Sequence, residues 1–273
     1  MKDSARRDSG RLMLISPERV FYAGLLGRPR QRISGGFNFY ASLQGKLTVV
    51  ESGSERIGEV AVLPPYAPHC IASEFPSVIC VVVEPETVEP GAMQRLLSRL
   101  GGPGGAIFAA RARAAYHDLR QARRDGFTTA EFDRLLFGEV VPERTIDARI
   151  GRIAALLDDF SRSRPSAADC AAVVHLSRSR LLHLFKQETG VPFREFRAWK
   201  RARYLLHFVN EDLNLAHLAQ HMGYPDSTHF SHSIRRFYGL QPRAIFSGSR
   251  DLAIYRQRLN ARSRATTPSS SEP

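Results

Sequence analysis

Between residues 166 and 246 one pattern occurs twice: a short helix, a tight turn, and a second helix with an apolar stripe and a polar outer face. This repeat constrains the fold more than any other feature, because neither unit is large enough to bury its apolar face alone and the two must share a scaffold. In the first unit Cys170, Ala171 and Val174 predict one apolar face. Val174, His175 and Leu176 form the connection, and Ser177 stands where an N-cap is wanted. Leu181, Leu184 and Phe185 point inward at helical spacing, leaving Arg178, Ser179, Leu182, His183, Lys186 and Gln187 outside. In the second unit Asn214 caps a helix with a stripe of Leu215, Leu218, Ala219 and Met222. Gly223 then makes the turn, and Pro225 and Asp226 open the next helix. Phe230, Ile234 and Phe237 face inward there, with Ser227, Thr228, His229, Ser231, His232, Arg235 and Arg236 outside. Phe196, Trp199, Ala202, Leu206 and Val209 predict one long helix joining the units.

The doubled pattern, the string SRSRLLHLFKQETG, and GYPDSTHF followed by RRFYGLQP resemble the DNA-binding domain of AraC/XylS-type transcription regulators. The resemblance covers about residues 145–246. It implies DNA-facing positions at Ser179, Leu182 and His183 in the first recognition helix, and at Ser227, Thr228, His229, Ser231 and His232 in the second. Arg178, Lys186 and Arg235 flank them as phosphate contacts. His183 and His232 stand where the family often has arginine, so base preference does not transfer from relatives. Charge points the same way. Of the formal +12, residues 1–142 carry +3 (18 basic, 15 acidic) and residues 143–273 carry +9 (21 basic, 12 acidic). Recognition helices read base edges in the major groove while flanking cations neutralise phosphates. An ordinary helical bundle with a solvated basic face is the structural alternative.

Upstream, the hydrophobic period changes to two. Phe37, Phe39, Ala41 and Leu43 alternate with Asn38, Tyr40, Ser42 and Gln44, and β-branched runs follow at 47–50, 60–63 and 78–83. Glycine and proline punctuate them, which predicts a small barrel or sandwich. The segment GEVAVLPPYAPH, residues 58–69, resembles the second half of a cupin motif, where AraC-type regulators usually carry their effector domain. A cupin enzyme needs several lumen ligands. His69 is the only histidine before His117 and no H-x-H precedes a carboxylate, so neither a metal site nor a catalytic residue is expected. His69 either lines a ligand pocket or is satisfied at a strand end. His217 and His221 are i, i+4 without a third ligand in view. Three cysteines, an odd number without metal spacing, are expected to be reduced.

Arg28-Pro29-Arg30-Gln31-Arg32, with Ser42 and Gly45 downstream, resembles the RxxxR and xSxxG motifs of PilZ-type cyclic di-GMP receptors, with Tyr40 where Asp or Asn is usual. The resemblance implies Arg28, Arg32, Tyr40 and Ser42 as effector residues, with His69 beside them; guanidinium forks suit both phosphate and guanine edges. The alternative is a solvated basic loop entering a barrel.

Met93, Leu96, Leu97 and Leu100 form a helical stripe ended by GGPGG at 101–105. Phe132, Leu135 and Leu136 form another, and Ile146, Ile150, Ile153, Leu157 and Phe160 open the C-terminal domain. The expected fold is α+β: a cupin-like β-barrel effector domain (1–86), a helical connector or dimerisation region (87–142), an all-α double helix-turn-helix domain (143–247), and a helical extension with a disordered tail (248–273). No apolar run is long enough for a membrane span and the first eleven residues lack a signal's apolar core, so a cytoplasmic protein is expected. The function expected is a ligand-responsive transcription regulator. Its expected partners are double-stranded operator DNA, a small-molecule effector such as cyclic di-GMP, a second copy of the chain and RNA polymerase; no cofactor is expected. Two rival classes stay open: a constitutive DNA-binding protein whose front domain only dimerises, and a cupin enzyme fused to a basic module.

Overall fold

The computed structural model describes residues 10–121, 127–158 and 165–256. Phe160 and the expected tail at 260–273 lie outside them. The N-terminal half places eight strands in two facing sheets: β1 (Leu12–Ile15), β2 (Arg19–Leu25), β3 (Phe37–Ser42), β4 (Leu47–Glu51), β5 (Ser54–Gly58), β6 (Val60–Leu63), β7 (His69–Ser73) and β8 (Ser77–Val83). The larger sheet runs β6-β3-β8-β2-β1 and the smaller β5-β4-β7, all antiparallel.

The larger sheet is covered on both faces. On one side Leu12, Leu14, Phe21, Phe39, Ile79 and Val81 pack under α1 (Pro90–Leu100), α2 (Gly105–Gln121) and α3 (Thr129–Phe137). The Phe39 ring lies 5.2 Å from that of Phe137 and 6.0 Å from that of Phe108. These helices therefore cover one face of the sheet. Asn38, Tyr40 and Ser42, which alternate with the apolar residues of β3, are all buried as well. Their side of the sheet is closed by the second sheet and by the C-terminal half.

That half contains α4 (Ala148–Asp158), α5 (Ala167–Val173), α6 (Arg178–Thr189), α7 (Phe193–Tyr204), a 3-10 turn (Leu205–Phe208), α8 (Leu215–His221), α9 (Ser227–Tyr238) and α10 (Pro242–Gly248). The single long helix expected through Val209 thus ends at Tyr204 and tightens into the 3-10 turn. Beyond α10, where a helical extension is expected, the chain turns and adds β9 (Ala253–Arg256) to the larger sheet, parallel to β1. Its Arg11 side runs into the same junction: the Ala253 amide donates to the Arg11 carbonyl at 3.1 Å. No helix among the described residues is long and apolar enough to cross a membrane.

Candidate nucleic-acid interface and the pocket behind it

The two units start and stop their second helices by the same chemistry. Ser177 Oγ accepts the Arg180 amide at 3.2 Å, and Asp226 accepts the Thr228 and His229 amides at 2.8 Å each. At the far ends Gly190 (φ +74°) and Gly239 (φ +67°) take the left-handed C-cap and donate to Lys186 and Arg235 carbonyls, both at 2.8 Å. With Leu181 and Phe185, or Phe230 and Ile234, buried below, the pairs Ser179 and Thr228, Leu182 and Ser231, His183 and His232, and Lys186 and Arg235 occupy equivalent places. Arg178, Ser179, His183, Lys186, Ser227, Thr228, His229, His232 and Arg235 are exposed; Leu182 and Ser231 are half-buried. The turns differ. Gly223 takes φ +69° as expected, but the first unit puts a non-glycine, His175, at φ +54°.

Two outward residues are less free than their spacing suggests. His229 Nδ1 lies 2.9 Å from Asp226 Oδ2, folded back over its own helix cap. The carboxyl of Asp226 is held below its usual range by the His229 amide and ring. Arg236 pairs with Glu195 of α7 and lies over the Phe237 ring.

Helix α7 carries charge where only an apolar stripe is evident in sequence. Trp199 Nε1 donates to both carboxylate oxygens of Glu84, at 3.1 and 3.0 Å. Lys200 Nζ stands 3.2 Å from Glu84, 2.5 Å from Glu86 and 3.0 Å from Asp158, and Arg203 Nε stands 2.7 Å from Glu84. Arg203 also donates to the Ser16 and Arg19 carbonyls. Burial opposes charge on Lys200, but the three carboxylates outweigh it and raise its pKa; burial pushes Glu86 up to about 7 against the pull of Lys200. Sequence reasoning missed this cluster. Its one signal was Lys200 and Arg203 flanking the inward face of Trp199. Gly35 is needed beneath that ring, since an added Cβ would come within 2.3 Å of it.

The expected effector residues do not converge. Arg28 is exposed on a loop. Ser42 is buried at the far end of β3, where Arg113 of α2 donates to its hydroxyl at 3.0 Å and its carbonyl at 2.9 Å. His69 is satisfied at a strand end: Nδ1 meets the Ala67 carbonyl at 2.9 Å, so Nε2 accepts from the Tyr40 hydroxyl at 3.1 Å. Burial lowers its pKa to about 4, keeping the ring neutral. Phe39, on the opposite face of the same strand, belongs to the core under α2 and α3. No group of three or more His, Cys, Asp or Glu gathers as metal ligands among the described residues.

Arg32 and Tyr40 do share a site. Both line a cavity of about 230 Å³ between the larger sheet and the second helix-turn-helix unit, walled by Leu26, Val78, Leu206, Val209, Ile245 and Leu252. Arg32 is only 8% exposed, and its Nε and Nη2 have no hydrogen-bond partner among the described residues. Burial pushes the neighbouring Cys80 thiol up to about 12, so it supplies no anion. Such a guanidinium, facing apolar walls, is complementary to an anionic group carried on an apolar body. The loop holding it is clamped to the second recognition helix: the Ile33 amide donates to the Arg236 carbonyl at 2.8 Å. An added Cβ at Gly239 would meet the Arg30 carbonyl at 2.9 Å and Arg32 Nε at 3.3 Å.

Known proteins resemble this chain in two ways. In sequence it is 34% identical over 111 residues to the HTH-type transcriptional activator RhaS of Enterobacter sp. (strain 638), covering 40% of this chain and 39% of that one, so it spans about two-fifths of that relative's length. In fold it resembles ToxT of Vibrio cholerae O395, with a TM-score of 0.54 at 12% identity over 85% of this chain and 98% of that one. The unsaturated-fatty-acid-bound ToxT of Vibrio cholerae strain SCE256 gives a TM-score of 0.50 at 13% identity, over 85% and 96%. Residues 170–247 match the model of a helix-turn-helix domain family, which makes this C-terminal part of the chain a helix-turn-helix domain.

Proposed function

We propose that the chain is a ligand-responsive, sequence-specific transcription regulator that reads double-stranded DNA with α6 and α9 and senses a hydrophobic monocarboxylate in the cavity between its halves. The observation that carries the DNA reading is the equivalence of the two exposed helix faces, each with a basic residue (Lys186, Arg235) one turn beyond a histidine (His183, His232). The buried Arg32 guanidinium, with Nε and Nη2 lacking hydrogen-bond partners among the described residues, in a largely apolar cavity carries the effector reading. RhaS, named as a transcriptional activator, and fatty-acid-bound ToxT support it. Such a protein works in the cytoplasm, on operator DNA, with a second copy of the chain and RNA polymerase as its expected macromolecular partners. Linkage supplies the mechanism: a ligand that touches both halves biases their relative arrangement, and with it DNA affinity.

The test is to select duplexes from random DNA with the full chain, then titrate the best duplex with an 18-carbon unsaturated acid, the matching alcohol, or cyclic di-GMP. The acid alone is expected to change affinity. A response to the alcohol as well would remove Arg32 from the reading. A response to cyclic di-GMP alone would restore the dinucleotide reading of Arg28, Arg32 and Ser42, which the separation of Arg32 from Ser42 does not favour. Failure to enrich any duplex would overturn the regulator itself.

A further inference from the structure

The apolar cores divide the molecule differently from its sequence. Met13, Ile15 and Val20 of the larger sheet share one core with Leu218, Met222, Phe230, Ile234 and Leu252, so the sensor sheet and the second helix-turn-helix unit form a single body. The core of the first unit, built from α4, α5, α6 and the start of α7, includes Ile153, Leu157, Leu181, Phe185 and Phe196 and no sheet residue. The boundary falls inside α7: Phe196 belongs to the first unit, whereas Trp199 and Ala202 pack with Phe237 of α9. Residues 142–144 tie the approach to α4 to the sensor by main-chain bonds, Glu89 amide to Pro142 carbonyl at 2.8 Å and Arg144 amide to Thr87 carbonyl at 3.4 Å. The other end of α4 is Asp158, whose carboxylate pairs with Lys200 at 3.0 Å.

We propose that Lys200 is a positioning residue for DNA binding, whose ammonium ties Glu84 and Glu86 of the sensor to Asp158 of the first unit and so fixes the angle between the two recognition helices. This rests on the regulator reading above. The cation is fully buried, as is Glu84, while the Asp158 carboxylate keeps 23% of its exposure, so the joint is strong on the sensor side and open to release on the other. Three carboxylates face two cations, Lys200 and Arg203, with the Tyr66 phenol nearby and held protonated by burial and by Glu84, Glu86 and Glu195. A body hinged within one helix, and tied besides Lys200 by the Glu195–Arg236 pair and the main-chain bonds at 142–144, can take a second angle without unfolding either core, which is the kind of bistable element a ligand in the adjoining cavity can bias. Trp199 and Arg203 both line that cavity.

Replacing Lys200 would strand buried acids and risks losing the fold, so Asp158→Asn is the discriminating variant; it cuts only the first-unit side and leaves Lys200 with Glu84 and Glu86. Spin labels at exposed Gln187 of α6 and Arg243 of α10 report the angle in the full chain without DNA. One narrow distance distribution is expected for the wild type, and a broadened or displaced one for D158N at unchanged melting temperature. Identical distributions would overturn the joint. On the selected duplex, inserting one base pair between the two contacted segments is expected to cost the wild type about tenfold in affinity and D158N less than about threefold, since a loosened joint absorbs the shift. Equal losses would count against Lys200 as the positioning group even if both proteins bind. The distance measurement needs no DNA, so it separates failure of the joint from failure of the regulator reading.

Discussion

Replacing Arg32 with methionine is expected to stabilise the empty protein while removing its response to a carboxylate. The Arg32 main chain is held by paired bonds with His69, 2.9 Å and 3.0 Å, which no side-chain change disturbs. Arg32 is buried, and two of its guanidinium nitrogens lack hydrogen-bond partners among the described residues. An unsatisfied buried donor costs about 1 to 3 kcal/mol, and more when charged. Methionine keeps an unbranched stem of similar length against Leu26 and Val78, so little cavity forms. Allowing for some lost packing, a net gain of about 1 to 3 kcal/mol follows, which for a chain of this size raises the melting temperature by roughly 2 to 10 °C. Thermal and urea unfolding in buffer free of carboxylates measures it. Ligand at a hundred times its Kd should then add about 2.7 kcal/mol to the wild type and nothing to the variant. An R32M protein that melts below the wild type without ligand would show the guanidinium to be a structural brace, and the argument for an anionic effector would fall with it.

Further consequences are open to direct measurement. DNA affinity of the full chain should fall steeply between low and moderate salt, because lysine and arginine contacts release counterions; a flat response would refute phosphate contact by the basic C-terminal half. His183→Ala and His232→Ala should relax base preference while leaving nonspecific binding within about threefold, and a uniform loss across unrelated sequences would make both histidines phosphate contacts. Glu86→Gln tests the buried cluster. Because burial raises the Glu86 pKa from 4.5 to about 7, its protonated form stabilises the fold fully below about pH 4.5, and that contribution is lost as pH rises through 7. His69 and His207, both lowered to about 4 by burial, act with the opposite sign over an overlapping range, but equally in both proteins. Relative to E86Q, the wild type should therefore lose about 1 to 3 kcal/mol between pH 4.5 and 8 in urea unfolding; parallel profiles would refute it.

The reading helices were legible because their signals are local. Ser177, Asn214, Asp226 and Gly223 cap or turn the chain using groups within three residues of themselves, and the stripes Leu181 and Phe185 or Phe230 and Ile234 need only helical spacing. The sensor was legible as strands but not as a site. Ser42 and Arg113 are far apart in the chain, as are Trp199 and Glu84, so nothing near Ser42 announced that its hydroxyl was already engaged, and nothing near Glu84 announced its partners on α7. The PilZ-like pattern has the same weakness: it counts Arg28, Arg32 and Ser42 along the chain, while the fold sends them to solvent, to the cavity and to Arg113 of α2.

The placement of β9 beside β1 also sets an order of events during synthesis. A ribosome releases β1 first, but the strand that pairs with its free edge comes after both helix-turn-helix units. The side chains that cover Met13, Ile15 and Val20 are likewise made late, on α8, on α9 and at Leu252. Until then the growing chain carries an unpaired strand edge next to an uncovered apolar face, two features that favour association with other nascent chains. The N-terminal sheet is therefore completed only after the helix-turn-helix units are made, when β9 closes the edge that β1 had left open.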